Sequence, residues 1–441
     1  MNIAKRQIFI FAATGVAFAL LFAQLYSNFL HVSPAIFFPF DRLSESEVIG
    51  GVIRYLNEPG LKYRFYLGLV DKWDSPELYN LSLELLKKGQ LNTEFGPYRS
   101  SLGVQGLIYG VAYAHGVSLE SLKIACAFLT ALCVMLVSAG LWKGVAPGLG
   151  LSFYISILLS PWMAIFASHL YWSPFLWFLP AVFALGAYFA KEPGARVVML
   201  SLVFASFFLK CLAGYEYISS IAVLTGAIFF IDIFLPSPRY SIKKNVGFLI
   251  LIFVLCVSAF LLAFFIHAGL RGDSLVAGIK DIIEADVKRR TYSDNPNEYP
   301  EVFRESLRAG PFGVLGTYIL TWDRPVIYGV NGGLFVIGLL GAVAAIVFKA
   351  LRKDPTAKRD AAILAVFFAA PVSWFVLAKG HSFIHTHLNY VLWYLGCVAA
   401  VIFVNFSGWI PPWRAGNRKK SGRGEAIAPD RALTSAGGRV E

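Results

Sequence analysis

The stretch "VGFLILIFVLCVSAFLLAFFIH", residues 246–267, runs 22 positions without a lysine, arginine, aspartate or glutamate. About 20 apolar residues let an α-helix cross the hydrocarbon core of a bilayer. Inside lipid a helix also satisfies its own backbone polar groups, which an open strand cannot do. The stretch therefore predicts a transmembrane helix. The basic segment "SPRYSIKK" (237–244) precedes it and a long polar segment, 268–328, follows. Positive charge resists translocation, so the upstream end is expected in the cytoplasm and the downstream end outside.

The same reading extends along the chain. Of its 441 residues only 15% are charged and 57% are hydrophobic, where a soluble protein carries about 25% charged residues. Further span candidates are 8–29, 120–141, 149–169, 172–190, 197–213, 217–235, 331–349, 361–378 and 388–406. A shorter apolar run, 101–116, contains Gly103, Gly106 and Gly110 and reads as a candidate re-entrant segment. The expected fold is an all-α polytopic membrane protein of about 10–12 transmembrane helices. The first run follows "MNIAKR" and lacks a small-residue cleavage site, so it reads as an uncleaved helix with a cytoplasmic N-terminus. Residues 1–410 form one expected transmembrane domain, and 411–441 a basic, disordered cytoplasmic tail.

The net charge of +12 is a topology signal and does not point to nucleic acid. Basic residues gather in "KEPGAR" (191–196), "SPRYSIKK", "KALRKDPTAKRD" (349–360) and the tail, all expected on the cytoplasmic side. Five cysteines, Cys126, Cys133, Cys211, Cys256 and Cys397, fall in or beside apolar runs and read as core thiols. The polar segments 31–100 and 268–328 each carry nine acids against eight bases and map outside. Long structured loops between spans usually carry recognition or chemistry.

Within the first loop, Pro34 and Pro39 are expected to break the first helix, and Asp41, Glu45 and Glu47 follow. Asp41 and Glu45 at i, i+4 share a helix face, where one carboxylate becomes a candidate base. The alternative is a solvated helix start capped by serines. "DKWDSPELYNLSLELLKKG" (71–89) has the stripe of an interfacial amphipathic helix. Arg99 is a candidate for a lipid phosphate, or a snorkelling anchor, with Gln105 beside it. Lys210 and Glu216 sit where two apolar runs meet, either as functional groups or as a structural pair. "LAKGHSFIHTHLNY" (377–390) gathers Lys379, His381, His385 and His387. His381 and His385 are i, i+4, whereas His385 and His387 converge only off a helix. The HExxH pattern is absent, so a divalent cation would need an acid from a distant loop. Mixed Lys, His, Asn and Tyr more readily hold a phosphate or a hydroxyl-rich ligand.

The patches "FDRLSESE" (40–47), "FGPYRSSLGVQG" (95–106), "SHLYWSPFLWFLP" (168–180) and "KGHSFIHTHLNYVLWYLG" (379–396), in this architecture, resemble the GT-C superfamily of membrane glycosyltransferases. The resemblance spans the chain in layout and these patches in residues. It implies transfer of a sugar from a polyprenyl-phosphate donor to a glycan, lipid or protein acceptor. It further implies an active site facing the periplasm or exterior of a bacterial inner membrane. By position Asp41 matches the family's acidic residue, with Glu45 or Glu47 as substitutes, and Arg99, Lys210 or Lys379 would hold the donor phosphate. The paired acids of protein O-mannosyltransferases are not kept, since Arg42 follows Asp41. No cofactor is certain, and a divalent cation stays open. The rival readings are a lipid-linked oligosaccharide flippase, which predicts mid-membrane charges and an internal repeat, and a polysaccharide polymerase or ligase.

Overall fold

The structure is a computed structural model describing residues 3–33, 42–58, 64–70, 77–89, 95–293, 295–320, 325–328 and 330–407. The first helix, α1 (Ile3–Ser27), ends where Asn28 and His31 adopt positive φ. Asn is one of the few side chains that tolerates that conformation. Gln24 Oε1 accepts from Leu30 N at 2.9 Å and Asn28 Oδ1 from Ser33 N at 3.2 Å, replacing the lost helical bonds. The stop is thus upstream of Pro34 and Pro39, which lie outside the described residues, as does Asp41.

Next, α2 (Arg42–Asn57), α3 (Leu78–Lys88) and α4 (Val104–Ala114) form a small group beside the main bundle. The run 101–116 does not lie in the bundle; it packs as α4 against α2. The pair β1 (Gly68–Leu69) and β2 (Gly96–Pro97) runs antiparallel, Gly68 opposite Pro97. Its lead-in strand threads the Tyr66 carbonyl between the two helices. A Cβ at either Gly51 or Gly106 would overlap that oxygen, so both positions require glycine for the close approach.

The bundle follows: α5 (Leu119–Gly144), α6 (Pro147–Leu158), α7 (Met163–Phe166), α8 (Phe175–Phe189), α9 (Pro193–Ala213), α10 (Ile218–Asp232) and α11 (Ile242–Arg271). Ser118 and Ser241 cap α5 and α11 through their side chains. Pro147 and Pro193 open α6 and α9 at positions where no N–H is needed. The expected continuous span 149–169 is broken. Pro161 cannot donate, and Ser160 Oγ caps Met163 N at 2.9 Å to start a new turn.

Beyond α11 the chain folds over one end of the bundle as α12 (Leu275–Ile282), a π-helical turn (Ile283–Val287), α13 (Lys288–Arg290), α14 (Glu301–Arg308) and α15 (Pro311–Leu320). After the ribbon β3 (Pro325–Ile327) and β4 (Val330–Asn331) come α16 (Gly332–Leu351) and α17 (Ala357–Leu377). The expected span 388–406 is also bent. After the short α18 (Lys379–Ile384), it comprises the end of α19 (Thr386–Asn389), a 3₁₀ turn (Tyr390–Tyr394) and α20 (Cys397–Phe406). Gly396, at φ +118, supplies the break, and the two halves meet at 46°.

The protein is therefore an all-α polytopic membrane protein. Among the described residues, six helices are long and apolar enough to cross a bilayer, or seven with the bent pair counted, and α4, α6, α8, α10 and α15 are shorter apolar helices. At the end of α10, buried Asp232 accepts from Tyr188 Oη (2.7 Å), Arg239 N (2.8 Å) and Asn245 Nδ2 (2.8 Å). That carboxylate organises the basic segment 237–244, as Asp360 does for Lys349 (2.6 Å) and Arg359 (2.7 Å). All five cysteines are buried and free.

The pinch around Tyr66 gives a direct test. Gly106→Val should cost about 1–3 kcal/mol through overpacking, seen as a lower detergent melting midpoint. Gly247→Val, with open space around its Cβ, should leave that midpoint unchanged.

Candidate functional site

At the end of the bundle opposite Asp232, five segments converge: the first two turns of α2, 95–103, 168–174, 214–217 and 283–290, closed by 379–389. An aromatic floor holds them together. The Trp172 ring stacks on Tyr217 (centroids 5.4 Å, 10°), and Trp177 and Trp374 meet Tyr217 edge-on at 5.3 and 5.6 Å. The Tyr217 hydroxyl donates to Asn389 Oδ1 at 2.9 Å, tying the α9–α10 loop to the histidine segment. Above this floor opens a cavity of about 560 Å³ whose polar lining includes Glu47, Arg99, Glu216, Arg290, His381 and His385.

Arg290 is the centre of the charge arrangement. The π-helical turn at 283–287 sets Asp286 on the same face as Arg289 and Arg290, at 3.3 and 3.9 Å. Asp286 also accepts from Ser100 Oγ at 2.6 Å and pairs with Arg271. Burial alone would raise its carboxyl, but Arg290, Ser100 and Arg271 outweigh that and hold it below the usual carboxylate range. Arg290 Nη2 donates to Tyr98 Oη at 3.2 Å, and Nη1 lies 3.8 Å from Glu216. Burial would lower the guanidinium, yet Tyr98, Glu216 and Asp286 leave it raised, so it stays charged at every working pH. Glu216 is reached by the Tyr171 hydroxyl at 3.4 Å. A Cβ at Gly214 would collide with the Glu216 carboxylate, so this glycine leaves the room that Glu216 occupies.

The three histidines do converge, because the helix breaks between them. α18 ends at Ile384, His385 takes φ −103 and ψ 43, and α19 restarts at Thr386. Ring centroids are 4.6 Å apart for His381 and His385, and 5.3 Å for His385 and His387. His381 lies edge-on to Trp374 and 3.4 Å from Asn389 Nδ2 through Nδ1. Buried His385 Nδ1 has no hydrogen-bond partner among the described residues. Burial, with His387 and the two arginines nearby, lowers the His385 imidazole to about 4; His381 is lowered well below its ordinary value for the same reasons. Both are neutral at pH 7 and offer hydrogen bonds without charge. Among the described residues, no group of three or more His, Cys, Asp or Glu side chains is arranged to hold a metal ion.

Several expected site residues lie elsewhere. Glu45 points away from the cavity and pairs with Lys123 at 3.0 Å, which also reaches Tyr79 Oη at 3.3 Å. Glu47, two residues on and across the helix, is the acid that lines the cavity. Lys210 and Glu216 do not form a hydrogen-bonded pair. Lys210 Nζ caps its own helix at Gly214 O (2.6 Å), while Glu216 turns to Arg290. Lys379 donates to Leu307 O and Ala309 O, both at 2.7 Å, so its ammonium closes the end of α14 and does not face the cavity. Gln105 donates to Tyr171 O at 3.3 Å and supports the floor from beneath. His387 touches His385 but does not line the cavity.

Sequence reasoning missed Tyr98, Tyr171, Trp172, Asp286, Arg289 and Arg290. A signal for the last three was present, since "ADVKRR" (285–290) sets an acid three and four residues before two arginines. It also missed an apolar groove of about 370 Å³ beside the cavity, walled by Phe207, Tyr215, Phe253 and Phe260. Groove and cavity share Ser100 and Arg290. Against this geometry, no protein-family model, curated protein or solved structure matches the chain.

The lowered histidine fixes a pH window. Unfolding frees His385 to bind a proton near its ordinary 6.5, whereas in the fold it binds one only near 4. Stability is therefore greatest above about 6.5 and falls as pH drops towards 4. The melting midpoint of wild type should decline over that interval, and His385→Gln should decline less steeply.

Proposed function

We propose that the chain is a GT-C-type glycosyltransferase that moves a sugar from a polyprenyl-phosphate donor to an extracytoplasmic acceptor. The observation that carries this reading is the meeting of a polar cavity and an apolar groove at Arg290. A lipid-linked phosphosugar divides chemically in the same way, with a long hydrocarbon, an anionic junction and a hydroxylated head. In this reading the isoprenoid lies along Phe207, Phe253 and Phe260. The phosphate meets Arg290 and Arg289, and the sugar faces Glu47, Glu216 and the neutral histidines.

The chemistry asked of these groups is modest. An acceptor hydroxyl attacks the anomeric carbon, the bond from that carbon to the phosphate oxygen breaks, and a carboxylate takes the hydroxyl proton. Glu47 is the described acid placed for that role; Asp41, which the family resemblance favours, remains its rival. The leaving polyprenyl phosphate carries its negative charge to Arg290, which is held in place by carboxylates and a phenol before substrate arrives.

The wider topology follows from the same proposal. Ten crossings would be made by α1, α5, α6 with α7, α8, α9, α10, α11, α16, α17 and the bent α19–α20 pair. The helices α4 and α12–α15 would lie at the cavity end. The positive-inside rule then sets the basic segments 191–196, 237–244 and 349–360 in the cytoplasm and the cavity in the periplasm or exterior.

Transfer of radiolabelled sugar from extracted polyprenyl-phosphate donors tests the proposal, with membranes matched for protein level. Glu47→Gln should lower the rate about 10²–10⁴-fold if it is the base. Arg290→Gln should lower it as well, whereas loss in Asp41→Asn with Glu47→Gln intact would transfer the base role to Asp41. Absence of transfer by wild type across lipid, glycan and protein acceptors would overturn the reading.

A further inference from the structure

A second concave site lies across the Pro97–Arg99 strand from the main cavity. It encloses about 400 Å³ and is lined by Arg54, Arg64, Arg99 and Arg271, with Phe65, Pro97 and Leu270 completing it. No acidic residue is among the described residues lining it. The four guanidinium groups come from three distant parts of the chain, so the cluster is a product of the fold and not a charge run. Pro97 and Arg99 belong to both sites.

The arginines are held in place from behind. Buried Arg271 is gripped by Asp281 (Nε at 2.6 Å) and Asp286, and it donates to Arg99 O at 2.9 Å. Arg99 donates to Arg271 O at 3.1 Å and to Asp281 at 3.3 Å. Arg54 lies over the Phe95 ring at 4.3 Å. Arg64 is exposed and makes no ion pair among the described residues. Asp281 and Asp286 thus orient the Arg271 and Arg99 guanidinium groups from behind, and four guanidinium groups border one small volume. Planar guanidinium forks are the side chains best matched to phosphate oxygens.

We propose that this pocket binds a phosphate group. Arg271 ends α11, just beyond the apolar run 246–267, which sets the pocket at headgroup depth. The phosphate would come either from an anionic lipid headgroup or from a free phosphate ester. The site is separate from the junction at Arg290, and its binding can be read without any transfer reaction.

The test uses full-length protein in phosphatidylcholine nanodiscs, titrated with inorganic pyrophosphate by calorimetry. Parallel discs containing phosphatidic acid are scored for retained acidic lipid by native mass spectrometry. Wild type should bind pyrophosphate, retain the acidic lipid, or both. Arg54→Gln/Arg64→Gln should weaken whichever is seen by roughly tenfold or more, the loss expected for two charged hydrogen-bonding partners. Lipid retention without pyrophosphate binding identifies a headgroup site, and pyrophosphate binding identifies one open to free phosphate esters. If the double variant does not fold, Arg64→Gln, which removes only an exposed side chain, should still weaken binding severalfold. Neither ligand binding to wild type, or unchanged binding in a folded variant, would overturn the proposal.

Discussion

A guanidinium can be buried only if carboxylates and other acceptors replace the water it loses, and the cavity end of this protein is arranged around that requirement at Arg290. Its partners come from separate parts of the chain: Tyr98 from the segment before α4, Glu216 from the α9–α10 turn, and Asp286 from one turn earlier. Removing one partner from such a set typically costs about 3–5 kcal/mol, because a charge is left unmatched. The network therefore fixes where the segment after α11 lies, and that segment roofs the cavity. The π-helical turn at 283–287 serves the same end, bringing Asp286 round to the two arginines that follow it. Asp286 and Arg271 then extend the network to Asp281 and Arg99, so the walls of the two pockets share one ionic frame.

The membrane fold was legible because its cause is local. A run such as 246–267 carries its own evidence, and 120–141, 197–213, 331–349 and 361–378 returned as α5, α9, α16 and α17 with small shifts at their ends. The two runs that broke did so at identifiable residues, Pro161 and Gly396. Hydropathy averages over such breaks, since neither residue lowers the apolar content of a window. The run 101–116 was read as short and glycine-rich, and its glycines proved to matter for contact: Gly106 shares the Tyr66 carbonyl with Gly51.

The site was only partly legible, for a different reason. Position along the chain identifies which charges lie near the interface but not which way they face. Glu45 and Glu47 looked interchangeable, yet two residues on a helix differ by about 200°. One therefore meets Lys123 and the other the cavity. The histidine cluster was recognised as a group, while its convergence depended on a helix break at His385 that no residue preference announces. Arg289 and Arg290 were passed over because a basic run in a polar loop is most often solvated. Arg290 is instead held by tertiary contacts with Tyr98 and Glu216, more than 70 residues away in the chain.

The misassigned cations also follow a chemical rule. Lys210 and Lys379 were the candidates, and each ammonium is directed at nearby protein oxygens, Gly214 O and the α14 carbonyls, as that of Lys123 is at Glu45 and Tyr79. A compact ammonium has three donors and satisfies them within one small shell. A guanidinium has five donors spread along a planar edge, so one side can be anchored by protein while the other faces a cavity. Arg290 does this between Glu216 and the groove, and Arg271 does it between Asp281 and the arginine pocket. This difference separates the cations that close helices here from those whose guanidinium groups also line a pocket.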